Sequence, residues 1–265
     1  MPVSALGRCT VGSMLLGAHL NRAAPLVAAG ETGSQVVQLF LSGPRSWAPP
    51  KPRGDEEELR RSEVEVFVHA PYLANPASLN PDVRARTRLC LQAQASAAAA
   101  VGARGLVVHG GHPTADGTVA DGIAGWLDVL DGWEPEVPLL IENTAGGKAA
   151  VARRFEDFAR LLDAVRGAGH RVGVCFDTCH GHAGGERLTA FAGRVDLVHV
   201  NDSRDAFDSG RDRHANLGAG HVDLDALVEV VASAKCPAVV ETPGGTSGQA
   251  QDLLLLRRRL GVAPV

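Results

Sequence analysis

Eight short apolar, β-branched runs recur along this chain, separated by alanine- and leucine-rich segments with helical spacing. The runs cover 14–20, 36–41, 66–72, 105–111, 137–144, 172–178, 197–203 and 237–243, and helical spacing is clearest over 81–102, 153–168, 223–234 and 248–261. Strands that alternate with helices pair in parallel, and apolar runs without in–out alternation are buried on both faces. Eight such units close into a single (β/α)8 barrel of TIM type, an α/β fold. An open doubly wound sheet would want a G-x-G-x-x-G turn after an early strand, and the sequence contains none.

A length of 265 residues suits one such barrel, and 45% hydrophobic against 21% charged residues provides for a large core. Residues 1–13 precede the first run and are expected to form a flexible extension, leaving 14–265 as one catalytic domain. The proline- and charge-rich stretch 44–58 reads as a surface loop entering a helix, with the acidic cluster Asp55–Glu58 complementing the helix dipole. Five scattered cysteines make no disulfide framework; buried thiols in a reducing cytoplasm are expected. No stretch approaches the roughly 20 apolar residues of a membrane span, and no export signal is visible. The net charge of −4 argues, taken alone, against a nucleic-acid partner.

The strand ends carry the chemistry. His69, His109, Glu142, Asp177, His199 and Glu241 close the third to the eighth runs, His180 follows Asp177 by three, and Asp212 and His214 lie in the loop after the seventh. In a barrel all strand C-termini meet at one mouth. A single histidine on a strand is usually a core residue and a single carboxylate at a strand end usually a helix cap. Six consecutive strands ending this way are not explained so. Four carboxylates buried together need cations, and five imidazoles without thiolate favour zinc, with manganese or iron able to substitute. Nine ligands suit three divalent ions. Three such ions against four carboxylates leave the mouth at roughly +2, so an acidic protein can still hold a phosphate there.

At these residues the chain closely resembles the endonuclease IV family, the second family of abasic-site endonucleases. The matching segments are GAH (17–19), VHAPYLANPAS (68–78), VVHGG (107–111), IENTAGG (141–147), FDTCH (176–180), HVNDS (199–203), GRDRHANLGAG (210–220) and ETP (241–243). The resemblance implies a xylose-isomerase-like barrel with three zinc ions. His69, His109 and Glu142 would hold the first; Glu142 would bridge to a second held with Asp177, His199 and Glu241; His180, Asp212 and His214 would hold the third. It implies a DNA base-excision repair enzyme that hydrolyses the phosphodiester 5′ to an abasic site, leaving a 3′-hydroxyl and a 5′-deoxyribose phosphate, and that trims blocked 3′ ends. Glu142 and Glu241 are the expected catalytic carboxylates, Glu241 orienting or deprotonating the nucleophile.

Arg45, Trp47, Tyr72, Leu73 and Asn75 match family positions that enter DNA at the lesion, where extruding a nucleotide costs least because no base is stacked. The expected partner is duplex DNA with abasic sites or blocked 3′ ends, bound by a cytoplasmic monomer that associates with the nucleoid while acting, without a membrane. The segment after GAH, from Leu20 to Pro25, departs from the family's glycine-rich loop. His112, His182 and His221 read as solvated histidines. A sugar isomerase or epimerase is the rival on the same barrel, but leaves His180, the DRH motif and NDS without work. A non-catalytic lesion-binding protein would not need the whole ligand set.

Overall fold

The computed structural model describes residues 14–20, 23–114, 116–147, 149–191 and 194–263. The expected extension at 1–13, and Asn21 and Arg22 of the departing loop, lie outside the described residues. Ten strands follow in chain order: β1 (Leu16–His19), β2 (Val36–Leu39), β3 (Glu65–His69), β4 (Leu106–His109), β5 (Leu139–Glu142), β6 (Val172–Asp177), β7 (Leu197–His199), β8 (Asp202–Ser203), β9 (His214–Ala215) and β10 (Ala238–Val240). The helices are α1 (Pro25–Thr32), α2 (Glu56–Arg61), α3 (Pro81–Ala100), α4 (Val119–Leu130), α5 (Phe155–Gly167), α6 (Thr178–Gly184), α7 (Leu224–Ala234) and α8 (Gly245–Leu260). Strands β1 to β7 and β10 form a closed barrel in the order β1-β10-β7-β6-β5-β4-β3-β2, every pair parallel. The eight-stranded barrel that the repeating pattern requires is therefore the fold. The pair β8–β9 is a separate antiparallel ribbon at the mouth.

The hydrogen-bonded strands are shorter than the apolar runs that announce them. Leu20 and Ala70 lie one residue past β1 and β3, still donate to Gln38 O and Val107 O, and are buried. Apolar character reports burial, not strand membership. Helix starts follow local chemistry: Asn80 caps α3 by accepting from Asp82 N with Pro81 in the first turn, and Thr118 with Asp121 forms a capping box on α4. The acidic cluster opens α2 as expected, with Asp55 at the cap, Glu56, Glu57 and Glu58 in the first turn, and Arg60 and Arg61 in the last.

Two hydrophobic layers result. The larger lies between barrel and helices, around Trp126, Phe158, Leu161, Leu91 and Leu253. The smaller fills the barrel, with Val36, Phe67, Val107, Leu140, Cys175, Leu197 and Val239 in contact and Leu15 packed against them. Side chains two apart on a strand point the same way. Two residues further along, the same strands place Gly17, Gln38, His69, His109, Glu142, Asp177, His199 and Glu241. The barrel thus carries a polar storey above an apolar one, and Glu241 completes the ring one residue past the end of β10.

Gly17 keeps that ring closed. A Cβ on it would overlap the carbonyl oxygen of Val36, its register partner on β2. Gly17→Ala is expected to destabilise the protein by about 3 kcal/mol through forced strand separation. Gly30→Ala in α1, where the added methyl meets nothing, is expected to be neutral or stabilising by up to about 1 kcal/mol. Urea unfolding of the two variants checks this: equal midpoints would refute the steric argument.

Candidate metal centre

The expected ligands converge at the mouth around Glu142, which is fully buried at the end of β5. Its Oε2 lies 3.2 Å from both His69 Nε2 and His109 Nε2. Its Oε1 lies 3.0 Å from His199 Nδ1 and 3.3 Å from His180 Nδ1. His199 Nδ1 is 3.3 Å from Glu241 Oε2 and 3.9 Å from Asp177 Oδ2. A third group forms around Asp212, whose Oδ1 is 3.2 Å from His180 Nε2 and 3.1 Å from His214 Nε2. Candidate ligand atoms thus gather as His69–His109–Glu142, Glu142–Asp177–His199–Glu241 and His180–Asp212–His214, each group within 4.8 Å.

These residues fit divalent cations. Ligand atoms at 2.0–2.1 Å from a tetrahedral ion stand about 3.3 Å apart, close to most of the separations above. One nitrogen of each of three rings is already bonded to a carbonyl: His69 Nδ1 to Ala70 O at 2.7 Å, His180 Nδ1 to Asn143 O at 2.8 Å, His214 Nδ1 to Glu241 O at 3.3 Å. A carbonyl accepts only from an N–H, so each of these rings donates from Nδ1 and turns Nε2 towards the carboxylates, where its neutral form offers a lone pair. Buried His214 Nε2, although 3.1 Å from Asp212, makes no hydrogen bond. A buried nitrogen left without a partner among carboxylates is what a ligand awaiting a cation looks like.

Asparagines and a second carboxylate hold the frame. Asn143 accepts from Asp177 N and donates to Asp177 O, while Asn201 donates to Asp177 Oδ2 and accepts from Glu241 N. Asp177 also caps α6 through His180 N at 2.7 Å. Asp202, fully buried, accepts from Gly218 N, Gly220 N and Val222 N, and so moors the segment that follows β9. This fixes the ribbon that carries His214, with Asp212 just before it.

Sequence reasoning missed two residues. His19 Nδ1 is 2.7 Å from Glu241 Oε1, and Gln38 reaches both Glu241 and His199. The GAH motif marked His19, although not as a contact of Glu241. A glutamine inside an apolar strand has no signature beyond its oddity there. Cys175 and Cys179 also lie within reach of the cluster. Burial and the neighbouring carboxylates push the Cys175 thiol up, and burial above all pushes Cys179 up to about 12, so both stay protonated. Cys90, Cys175, Cys179 and Cys236 are buried, as expected.

The expected DNA-contacting residues sit on the rim. Arg45 and Tyr72 are exposed, and Trp47, Leu73 and Asn75 are partly so. Tyr72 stacks on His109 at 5.7 Å and meets Phe40 edge-on at 5.3 Å, and its backbone N–H binds Pro44 O, joining the β2 and β3 loops. Asn75 is otherwise engaged: its side chain donates to His112 O and accepts from His112 N, tying the β3 and β4 loops together. Arg53 and Arg213 are paired with Asp55 and Asp205. His182, read as solvated, is instead buried, with Nε2 bonded to Asp205 O and Phe207 against its ring. It follows His180 on a helix whose described residues are all buried, which its spacing alone did not reveal. His112 and His221 are exposed.

Without cations the cluster balances its charge with protons. Burial disfavours the charged ring of His199, but Glu241 and Glu142 overcome this and push it up to about 9. His214 is likewise carried against burial to about 9, by Asp212, Asp177 and Glu241. Burial opposes the ionisation of Glu142 too, yet His109 and His199 hold it below the usual carboxylate range. The sign is clear: at pH 7.5 both rings carry protons that a cation must displace. His180 is also carried well above its usual value, against burial, by Asp177 and Asp212, so adding zinc to chelator-treated protein at pH 7.5 should release about three protons per chain, and fewer as the pH rises. A pH indicator in weakly buffered solution measures this, and release that does not change with pH would contradict the balance.

Known proteins resemble this chain in sequence and in fold. The sequence pattern of the AP endonuclease 2 family, a xylose isomerase-like TIM barrel, matches residues 26–259. "Probable endonuclease 4" of Mycobacterium bovis is 48% identical over 255 residues, covering 94% of this chain and all of that protein. The crystal structure of endonuclease IV from Thermus thermophilus superposes with a TM-score of 0.78 at 28% identity, over 93% of this chain and 99% of that one. A D-tagatose 3-epimerase-like protein reaches a TM-score of 0.74 at 17% identity, over 94% of this chain and 97% of that one, a likeness of fold alone.

Proposed function

This chain belongs to the endonuclease IV family, and from that premise we propose that it is a zinc-dependent endonuclease of DNA base-excision repair. It hydrolyses the phosphodiester 5′ to an abasic site, leaving a 3′-hydroxyl and a 5′-deoxyribose phosphate, and trims blocked 3′ ends. The observation that carries the reading is Glu142, one fully buried carboxylate whose two oxygens face separate sets of imidazoles at the barrel mouth. His69, His109 and Glu142 would hold one ion, Glu142, Asp177, His199 and Glu241 a second, and His180, Asp212 and His214 a third. When bound, such ions polarise a phosphodiester, lower the pKa of water and neutralise the leaving oxygen.

The chain's own residues supply the remainder. Glu241, deep in the mouth beside His199, orients the attacking water and takes its proton. Burial disfavours its charge, but His199, His19 and His214 keep it ionised, an acceptor that can orient the water. Asn201 holds its backbone N–H at 2.8 Å and keeps the carboxylate on station. Arg45, Trp47, Tyr72 and Leu73 form the rim that enters the duplex, with Asn75 bracing the loops beneath them. Tyr72, half-exposed above His109, presents a ring where a sugar without a base would leave a gap. Among the described residues no helix is long and apolar enough to cross a membrane.

A duplex with one abasic analogue should be cut on its 5′ side by zinc-loaded protein, and not after prolonged treatment with a strong chelator. Glu241→Gln should lower kcat by roughly 10²–10⁴-fold. Tyr72→Ala should raise KM by about tenfold with zinc content unchanged, since stacking is worth about 1–3 kcal/mol per base. An intact duplex beside fully loaded protein would overturn the proposal, and ketose sugars would then be the substrates to test.

A further inference from the structure

We propose that Gln38 is a positioning residue that decides which atom of His199 and which oxygen of Glu241 faces the metal centre. The proposal rests on the nuclease reading only for its effect on turnover. Gln38 occupies the β2 place in the polar storey and is fully buried. A buried primary amide must satisfy both its ends. Its Oε1 lies 2.8 Å from His199 Nε2, and its Nε2 lies 2.7 Å from Glu241 Oε1.

The amide has only one workable orientation. Its oxygen only accepts and its nitrogen only donates. Reversed, it would set oxygen against the Glu241 carboxylate, two acceptors with no proton between them. The oxygen therefore faces His199, whose Nε2 must carry the hydrogen. That leaves the Nδ1 lone pair directed at Glu142 Oε1 and Glu241 Oε2, 3.0 and 3.3 Å away.

The nitrogen end makes a second assignment. Glu241 Oε1 receives Gln38 Nε2–H and faces His19 Nδ1 at 2.7 Å; a carboxylate oxygen only accepts, so that nitrogen must carry its hydrogen, and Gln38 Nε2, 3.0 Å from the same nitrogen, makes no bond to it. His19 is itself fixed, its carbonyl bonded by Gln249 and its ring against Phe40 at 4.6 Å. With two donors on Oε1, Oε2 is the oxygen of Glu241 left to work in the mouth. A single rotamer of Gln38 on β2 thus selects a nitrogen on His199 and an oxygen on Glu241, which come from β7 and the end of β10, across β1 in the barrel order. An apolar residue of the same length would leave the ring free to turn over and the carboxylate free to rotate.

Two measurements test this, and neither needs DNA. In zinc-loaded wild-type protein, long-range 1H–15N spectra should show His199 with its proton on Nε2 and a slowly exchanging Gln38 side-chain N–H. A proton on Nδ1 instead would overturn the proposal. Gln38→Met keeps length and removes the amide. One zinc per chain should then bind more weakly by about 10–100-fold in competition with a chromophoric chelator, the others holding as before. On abasic duplex kcat should fall while KM stays. Zinc binding equal to wild type throughout would overturn the proposal, and if the variant does not fold the wild-type spectrum decides. A loaded wild-type protein that leaves abasic DNA uncut would sink the nuclease reading alone.

Discussion

The carboxylate of Glu142 is the interaction on which the rest of the mouth depends. It is fully buried, and a lone ionised carboxylate there would be too costly to keep. Four imidazoles approach its two oxygens, His69 and His109 on one side and His199 and His180 on the other. Each comes from a different element: β3, β4, β7 and α6. The barrel therefore cannot close correctly without bringing four remote segments to one group. The same arrangement makes the site a competition between protons and cations, because the rings that neutralise the carboxylates are the rings that would coordinate metal.

The barrel supports that group by stacking two kinds of layer. Below lies an apolar ring from Val36 round to Val239, which excludes water from the underside of the polar storey. Dry walls strengthen every charge interaction above them. Around the outside, large apolar side chains such as Trp126 and Phe158 fix strands to helices, and Trp126 Nε1 donates to Gly110 O just after β4. The β8–β9 ribbon stands outside both layers. Its place is set instead by Asp202, whose carboxylate gathers backbone N–H groups from 218 to 222 and so settles where Asp212 and His214 stand.

Net charge is a poor guide to such a site. The chain carries −4 overall, and several rim arginines are spent on neighbouring carboxylates, Arg213 on Asp205 and Arg153 and Arg154 on Asp208. What an anionic substrate meets is the local field at the bottom of the mouth, and there the balance is set by whatever occupies the nine-residue ligand cluster. A barrel of this kind can serve sugar chemistry or phosphodiester chemistry; the ligand set at the strand ends, not the barrel, separates them.

The amino-acid sequence by itself determined the eight strands, their parallel order and the fact that their C-terminal ends are polar. Those features are local: apolar runs, helical spacing and the residue type that closes each run survive being read one segment at a time. It also named His69, His109, Glu142, Asp177, His180, His199, Asp212, His214 and Glu241, because carboxylates and imidazoles at strand ends stand out against an apolar background. Only the tertiary structure decided which nitrogen of each ring points inward, and that Asn75 braces loops while His182 is buried. It alone showed His19 and Gln38 behind Glu241, from positions 222 and 203 residues away. The reason is that a side chain's neighbours across a closed barrel depend on register and rotamer, which no single segment encodes. Gln38 shows it best: in sequence it is one polar residue among valines and leucines, and in space it joins His199 to Glu241.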